Sequence, residues 1–240
     1  MRLLIIRHGD PDYVHDSLTR EGRKEAMMLA SYLRNERIDY AYVSPYGRAQ
    51  KTAQPTLDAH DLEATTLDWL KEFCPKVRQS AAPLAPTCAW DWLPEDWTEQ
   101  DIFYTDRWYE HPAMQAAGVG EEYRMVCDSF DRLLASHGYT RTGRYYQVTD
   151  ANHDTVALFC HFGLGAVLVS HLLGVSPMVM WHGFCAAPSS ITTVYTEERR
   201  RGKASFRVAE YGAVPHLTQL GVEPSFAARF CECYEDKDQH

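Results

Sequence analysis

The chain has 240 residues, and its 45% hydrophobic and 24% charged residues are typical of a soluble globular protein that buries a sizeable core. The formal net charge of −9 argues against an extended nucleic-acid interface, so we expect no nucleic-acid partner. A local cluster of positive charge remains compatible with a small anionic ligand.

The first part of the chain alternates strands with helices. Residues 3–6 are apolar without alternation, which is typical of a strand buried on both faces. The predicted elements that follow are a helix with Thr19 as N-cap, a strand at 38–43, a helix opened by Ser44 and Pro45 and ended near Pro55, and a short strand near Leu67.

Residues 73–119 differ from the rest of the chain. They are rich in proline and hold four of the six tryptophans, but they show no clear period. We therefore interpret them as an insertion, or cap, that rests on the core.

The second part of the chain returns to regular patterns. The predicted elements are a helix from Glu121 that Gly138 ends, a short strand at 145–148, a strand at 155–160, a helix at 163–173 that Gly174 ends, and a hairpin of 191–196 with 205–209. The stretch 156–175 is long enough to cross a bilayer, but His161 and His171 interrupt it. A buried strand and helix explain it better, so we expect no membrane partner.

The order of these elements implies an α/β fold: a mostly parallel sheet with helices on both faces. We predict a single domain, 1–240, with the cap 73–119 inserted in it. Ligands of such sheets bind beyond the carboxyl ends of the strands.

The cysteines predict a reducing environment. All seven are irregularly spaced, which argues against a disulfide framework and favours a cytoplasmic protein. Cys231 and Cys233 form a C-x-C pair without the further ligands that zinc needs, so we predict no metal site. We expect no signal peptide, because Arg7 ends the first apolar run.

Three predicted strand ends carry cationic or imidazole side chains. Arg7 and His8 follow the first strand, Arg48 lies in the first turn after the second, and His161 follows the strand at 155–160. Each residue alone is more often structural, because a buried neutral histidine is easily hydrogen-bonded. Their combination at matching strand ends predicts a functional site.

These residue types suit phosphoryl transfer. Arginine presents a planar, permanently charged fork that matches phosphate geometry. The helix N-termini after Ser44 and after His161 add backbone N–H donors. A neutral imidazole can attack phosphorus and form a covalent intermediate, and a second histidine can stabilise the transition state.

The sequence resembles the histidine phosphatase superfamily, also called the phosphoglycerate mutase-like family. The matching segments span residues 3–173, with the cap unmatched: LLIIRHGD, DSLTREGRKEA, VSPYGRAQKTA, WLKEF and ALFCHFGLGAVL. The resemblance implies a phosphohistidine intermediate and a reaction that uses neither a metal nor another cofactor.

The resemblance also implies a role for each matched residue. His8 would be the nucleophile, and His161 would complete the phosphate pocket. Glu72 would be the general acid that protonates the leaving oxygen and then activates water. The implied phosphate-binding residues are Arg7, Arg48 and Phe162.

Two positions after the RHG motif depart from the family pattern. Many members have Thr and Asn where this chain has Pro11 and Val14. Tyr13 or the hydroxyl of Ser17 are candidates to replace the missing phosphate contact.

The residue after the second histidine favours the branch of the family with a Glu proton donor. The acid-phosphatase and phytase branch has Asp where this chain has Phe162. Asp10 and Glu122 remain as other candidate acids.

We expect a phosphomonoesterase that acts on a small phosphorylated metabolite. The cap has few basic residues, whereas a mutase that holds doubly phosphorylated sugar acids needs more positive charge. A cofactor-dependent phosphoglycerate mutase and a non-catalytic phosphate-binding module remain alternatives. The cap aromatics either select an apolar or planar leaving group or only pack the cap onto the core. The oligomeric state stays open, a homodimer included.

Overall fold

A computed structural model describes residues 1–79 and 85–225, and an eight-stranded sheet forms its centre. The strands are β1 Arg2–Arg7, β2 Pro11–Asp12, β3 Ser17–Leu18, β4 Tyr40–Val43, β5 Ala64–Thr66, β6 Lys76–Val77, β7 Thr87–Cys88, β8 Tyr139–Thr142, β9 Tyr145–Val148, β10 Thr155–Cys160, β11 Ile191–Arg200 and β12 Lys203–Ala213. The α-helices are α1 Arg20–Leu33, α2 Gly47–His60, α3 Pro94–Trp97, α4 Pro112–Ala116, α5 Val119–Ser136, α6 Phe162–Leu173, α7 Pro177–Gly183 and α8 Pro215–Thr218. Single-turn 3-10 helices lie at Asp68–Leu70, Asp101–Tyr104 and Trp108–Glu110.

The sheet has a parallel part and an antiparallel extension. Its strand order is β5-β4-β10-β1-β11-β12-β9-β8, and the first four strands run parallel. The last four join antiparallel. In the parallel register Arg7 lies opposite Cys160, so the residues that follow β1 and β10 leave the sheet side by side.

Helices cover both faces of the sheet, which confirms the predicted α/β fold. Successive side chains of a strand point to opposite faces. Leu4 and Ile6 of β1 accordingly pack with α1 and α2, whereas Leu3 and Ile5 join the core with α5, α6 and α7. Burial on both faces explains why this strand is apolar throughout.

Most predicted boundaries agree with the structure. The Thr19 hydroxyl accepts the N–H of Gly22 and caps α1. Gly138 and Gly174 end their helices with positive φ angles of 91° and 68°. The apolar stretch 156–175 contains β10 and α6, and among the described residues no helix is long and apolar enough to span a membrane.

The predicted limits of the second helix are wrong at both ends. α2 begins at Gly47 rather than at Ser44, because the Ser44 hydroxyl contacts a histidine instead of capping the helix. α2 also continues through Pro55 to His60. An interior proline costs about 3 kcal/mol, and the buried face around Ala53 offsets that cost.

The described part of residues 73–119 contains only short elements. Trp92 and Trp108 are buried in the same apolar core as the sheet and α6. They pack this segment onto the core, as one of the two interpretations of its tryptophans predicts. Its status as a cap inserted in a single domain stays a prediction.

A disulfide joins Cys74 to Cys88 within this segment. The sequence argued against a disulfide framework, and this pair corrects that expectation: the chain reversal at β6 and β7 brings together two cysteines whose spacing gave no sign of pairing. Cys127 and Cys160 are free and buried. Cys231 and Cys233 lie outside the described residues.

Candidate active site

The ends of β1 and β10 place two histidines in contact. The rings of His8 and His161 lie 5.1 Å apart between centroids, at an angle of 60°. Both side chains are almost fully buried, at 2% and 1% exposure. The site therefore begins where two adjacent parallel strands end, as expected for this class of sheet.

His8 is held as a neutral imidazole. Its Nδ1 lies 2.8 Å from the carbonyl oxygen of Gly9, a hydrogen bond in which Nδ1 carries the proton and donates. Burial, followed by the charge of Arg7, lowers the pKa of His8 well below its usual value of 6.5. Nε2 is then an unprotonated nitrogen, which is the form that a nucleophilic histidine needs.

His161 is held by Ser44, a residue that the sequence instead predicts at the start of a helix. The Oγ of Ser44 lies 2.7 Å from His161 Nε2, and it also accepts the N–H of Tyr46 at 3.3 Å. His161 Nδ1 is buried and has no hydrogen-bond partner among the described residues. Burial, with the neighbouring His8, lowers the pKa of His161 well below 6.5.

Arg7 is buried at the end of β1. Its guanidinium donates to the carbonyl of Ala186, and its Cζ lies 5.3 Å from the centre of the Phe162 ring. The backbone of Arg7 also donates to Ser190. The two side-chain contacts hold the guanidinium in place, and its charge acts on the neighbouring His8.

Arg48 is fixed by an aspartate that the sequence analysis missed. Its guanidinium donates to Asp16 at 2.7 Å, and its Cζ lies 4.7 Å from the Tyr46 ring. Asp16 also accepts the N–H of Gly47 at 2.6 Å, and a Cβ at position 47 would meet the Asp16 carbonyl at 2.2 Å. Only glycine fits this close approach.

Glu72 lies against the first turn of α6, the helix that begins directly after His161. Its Oε1 accepts the N–H of Leu164, in the first turn of α6, at 3.0 Å and the N–H of Phe73 at 2.9 Å. Burial raises the pKa of Glu72 from 4.5 to about 7, and it outweighs both hydrogen bonds and the charge of Arg7. A carboxyl with this pKa can both donate and accept a proton near neutral pH.

An open pocket of about 440 Å³ borders Arg48 and Glu72. Its lining residues are Tyr13, Tyr46, Arg48, Lys71, Glu72, Cys74, Cys88, Trp90 and Glu122. Trp90 is the one cap tryptophan among them. Lys71 and Glu122 bring opposite charges to the rim of the pocket, and the charge of Lys71 opposes the rise that burial causes in the pKa of Glu122.

The other candidate residues divide between the pocket and the scaffold. Tyr13 lines the pocket, with its ring 5.5 Å from the Arg48 Cζ. Ser17 instead accepts from Lys51 at 2.8 Å, away from the pocket. Asp10 accepts hydrogen bonds from the hydroxyls of Thr19 and Ser225, both at 2.6 Å. Both carboxylate oxygens of this candidate acid therefore serve structural hydrogen bonds.

The family model of the histidine phosphatase superfamily (branch 1) matches residues 3–207. The chain therefore belongs to this family, and the predicted resemblance is confirmed. The expected enzyme class is confirmed with it: the protein is a histidine phosphatase.

Several phosphatases of small metabolites are similar to the chain. Phosphoserine phosphatase 1 of Hydrogenobacter thermophilus is 24% identical over 211 residues, which cover 83% of this chain and 89% of that protein. A mutant phosphoserine phosphatase of Entamoeba histolytica in complex with phosphoserine matches with a TM-score of 0.57 and 19% identity over 90% of this chain and 98% of its own. A mycobacterial glucosyl-3-phosphoglycerate phosphatase matches with a TM-score of 0.57 and 18% identity over 88% of this chain and 98% of its own. These solved structures share the fold.

Proposed function

We propose that this chain hydrolyses a small phosphomonoester in two steps, through a phosphohistidine on His8. In the first step His8 Nε2 attacks phosphorus, and Glu72 gives its proton to the departing alcohol oxygen. In the second step Glu72 takes a proton from water, the water oxygen attacks phosphorus, and the P–N bond breaks to release inorganic phosphate. The observation that carries this proposal is the contact of 2.8 Å between buried His8 Nδ1 and the Gly9 carbonyl, which leaves Nε2 as the nitrogen that can attack.

The remaining site residues would bind the phosphoryl group. Arg7 and Arg48 would neutralise its oxygens, and the backbone N–H of Phe162 would add a donor at the start of α6. His161 would donate from Nδ1, which requires that Ser44 donate its hydroxyl proton to His161 Nε2. These assignments need no metal ion. We also propose a cytoplasmic enzyme.

The rim of the pocket favours a leaving group with both signs of charge. Lys71 would pair with a carboxylate and Glu122 with an ammonium group. Phosphoserine, the compound named for two of the similar phosphatases, carries both groups. We therefore propose a phosphoamino acid as the substrate, and expect phosphoserine to be hydrolysed with a higher kcat/KM than phosphoethanolamine or 3-phosphoglycerate.

The nucleophile is tested with His8→Ala, assayed on p-nitrophenyl phosphate in the presence of EDTA. We expect turnover to fall by a factor of at least about 10³, as in other enzymes that lose a covalent nucleophile. A rapid quench should show one added phosphoryl group by intact-protein mass in the wild type and none in the variant. His15→Ala is the matched control, because His15 pairs with Asp12 on the surface.

Two results would replace this function by one of the alternatives. Phosphate binding without turnover between pH 5 and 8 would identify a binding module. Robust interconversion of 3-phosphoglycerate and 2-phosphoglycerate would identify a mutase.

A further inference from the structure

The Cys74–Cys88 disulfide lies in the wall of the substrate pocket. Both cysteines line the pocket. Cys74 follows Glu72 by two residues, and Cys88 precedes Trp90 by two residues. The bond thus ties the segment that carries the general acid to the segment that carries the aromatic wall.

The surroundings of this pair favour thiol chemistry when the bond is open. The Nζ of Lys76 lies 3.2 Å from Cys88 Sγ, and a neighbouring ammonium group stabilises a thiolate. The free cysteines in the core lie in the opposite environment: burial raises the pKa of both Cys127 and Cys160 to about 12. Compared with these two buried thiols, the pair that faces the pocket is therefore better placed to react.

We propose that Cys74 and Cys88 form a reversible redox modification site, and that their oxidation holds the pocket wall in its active shape. The oxidant class is a low-molecular-weight disulfide. The Cys88 thiolate attacks one sulfur of this disulfide and releases the first small thiol. The Cys74 thiol then attacks the mixed disulfide, which closes the protein bond and releases the second small thiol. Two electrons pass to the small disulfide, and a dithiol reductant reverses the reaction. In a reducing cytoplasm, disulfides of this kind act as transient sensors.

Within the described residues, a short ladder and three hydrogen bonds also join the two wall segments. Lys76 and Val77 pair with Thr87 and Cys88, and the N–H of Ala89 donates to the carbonyl of Pro75 at 3.0 Å. The side-chain amide of Gln79 donates to Thr87 at 2.9 Å and to the carbonyl of Asp91. The carboxylate of Glu72 is held separately, by the backbone N–H groups of Phe73 and Leu164. Reduction should therefore loosen the wall and displace the carboxyl of Glu72 without unfolding the core.

The experiment compares the protein after treatment with oxidised glutathione and after treatment with dithiothreitol. This test of activity rests on the proposed phosphatase function. We expect kcat/KM for phosphoserine to be at least about threefold lower in the reduced protein, because small displacements of a catalytic group are costly. Alkylation and peptide mass should show Cys74 and Cys88 blocked only after reduction. Cys74→Ser should hold the activity at the level of the reduced protein, whereas Cys127→Ala, which leaves the Cys74–Cys88 pair intact, should keep the response to oxidant and reductant.

Two further readouts keep the proposal open to disproof. Alkylation of both cysteines without reductant would overturn it, and so would an active phosphatase whose kcat/KM is equal in the two states. Amide hydrogen exchange of residues 72–79 should rise on reduction, and this measurement does not depend on catalysis. A protein without phosphatase activity whose exchange still rises would overturn the proposed function and support the redox site.

Discussion

Glu72 sets the alkaline limit of the activity that we expect. Its pKa of about 7 means that the protonated acid is present below pH 7 and is lost as the pH rises through that value. His8, whose pKa is lowered, stays neutral across the same range. The kcat/KM for phosphoserine should therefore fall above about pH 7, because an alkoxide leaves poorly without a proton.

The control for this pH dependence is p-nitrophenyl phosphate, whose leaving group needs no protonation. Its kcat/KM should fall much less above pH 7. Glu72→Gln should lower kcat/KM for phosphoserine by roughly 10²–10⁴ and abolish the alkaline limb. An unchanged pH profile in this variant would exclude Glu72 as the general acid.

We expect Ser44 to position His161 in the proposed reaction. Ser44→Ala removes the hydroxyl that lies 2.7 Å from Nε2, and a buried polar group left unpaired costs about 1–3 kcal/mol. We expect kcat to fall about tenfold with little change in KM, as measured by steady-state kinetics. Ser129→Ala, which removes a hydroxyl from α5, is the control and should keep full activity. A larger effect on KM than on kcat would contradict the positioning role.

At the residue level, the sequence predicts the candidate site residues that lie at the ends of strands. It does not predict the residues that form hydrogen bonds to them. Arg7, His8 and His161 follow apolar runs, so local pattern locates them. Asp16 and Ser44 contact partners 32 and 117 residues away. No local pattern reports such contacts, because the fold alone creates them.

At the level of elements, the N-terminus of α6 is packed too tightly to accept a side chain. A Cβ at Gly163 would lie 2.5 Å from Trp90 Cδ1 and 2.8 Å from the carbonyl oxygen of Phe73. Gly163→Ala should therefore push α6 away from the wall and lower the free energy of unfolding by about 1–3 kcal/mol, with a loss of kcat. Urea denaturation and steady-state kinetics measure the two effects.

Gly183→Ala is the matched control for this substitution. Gly183 ends α7, and a Cβ there would meet nothing within 4 Å. We expect unchanged stability and activity. Equal behaviour of the two alanine variants would show that the close packing of α6 is unimportant.

The sequence predicts the boundaries of helices and strands where the backbone conformation of a residue determines them. It does not predict the boundaries that tertiary packing determines. Gly138 and Gly174 adopt positive φ angles, which glycine accepts at little cost, and both helices end there. The sequence predicts that Pro55 ends α2, because proline lacks the N–H that a helix interior needs. The packing of the buried face of α2 outweighs that lost hydrogen bond. The strand β8 was missed, because its four residues carry no apolar alternation.

At the scale of the whole molecule, the segment before α5 and the sheet share one apolar core. Trp108 is fully buried, with its ring 5.4 Å from that of Trp181 and 5.2 Å from that of Tyr123. Trp108→Ala should lower the free energy of unfolding by about 3–5 kcal/mol. Trp108→Phe, which keeps most of the volume, should cost clearly less.

The same measurement tests whether this segment and the sheet unfold together. We expect a single transition, with fluorescence and far-ultraviolet circular dichroism changing at the same urea concentration. Separate transitions in the wild-type protein would show that residues 73–119 form an independent unit.

The position of β1 has a consequence for how the protein folds. Its two neighbours in the sheet, β10 and β11, lie more than 150 residues later in the chain: Arg2 pairs with Thr155 on one side and with Tyr195 on the other. Such non-local pairing is slow to form, since long loops must close before the contacts are made. During synthesis, the apolar residues 3–6 therefore cannot form their sheet pairings until β10 and β11 have been made. Until then these residues are exposed to solvent and can promote aggregation. His8, the proposed nucleophile, is synthesised early, but the strand ends that surround it come together only late in folding.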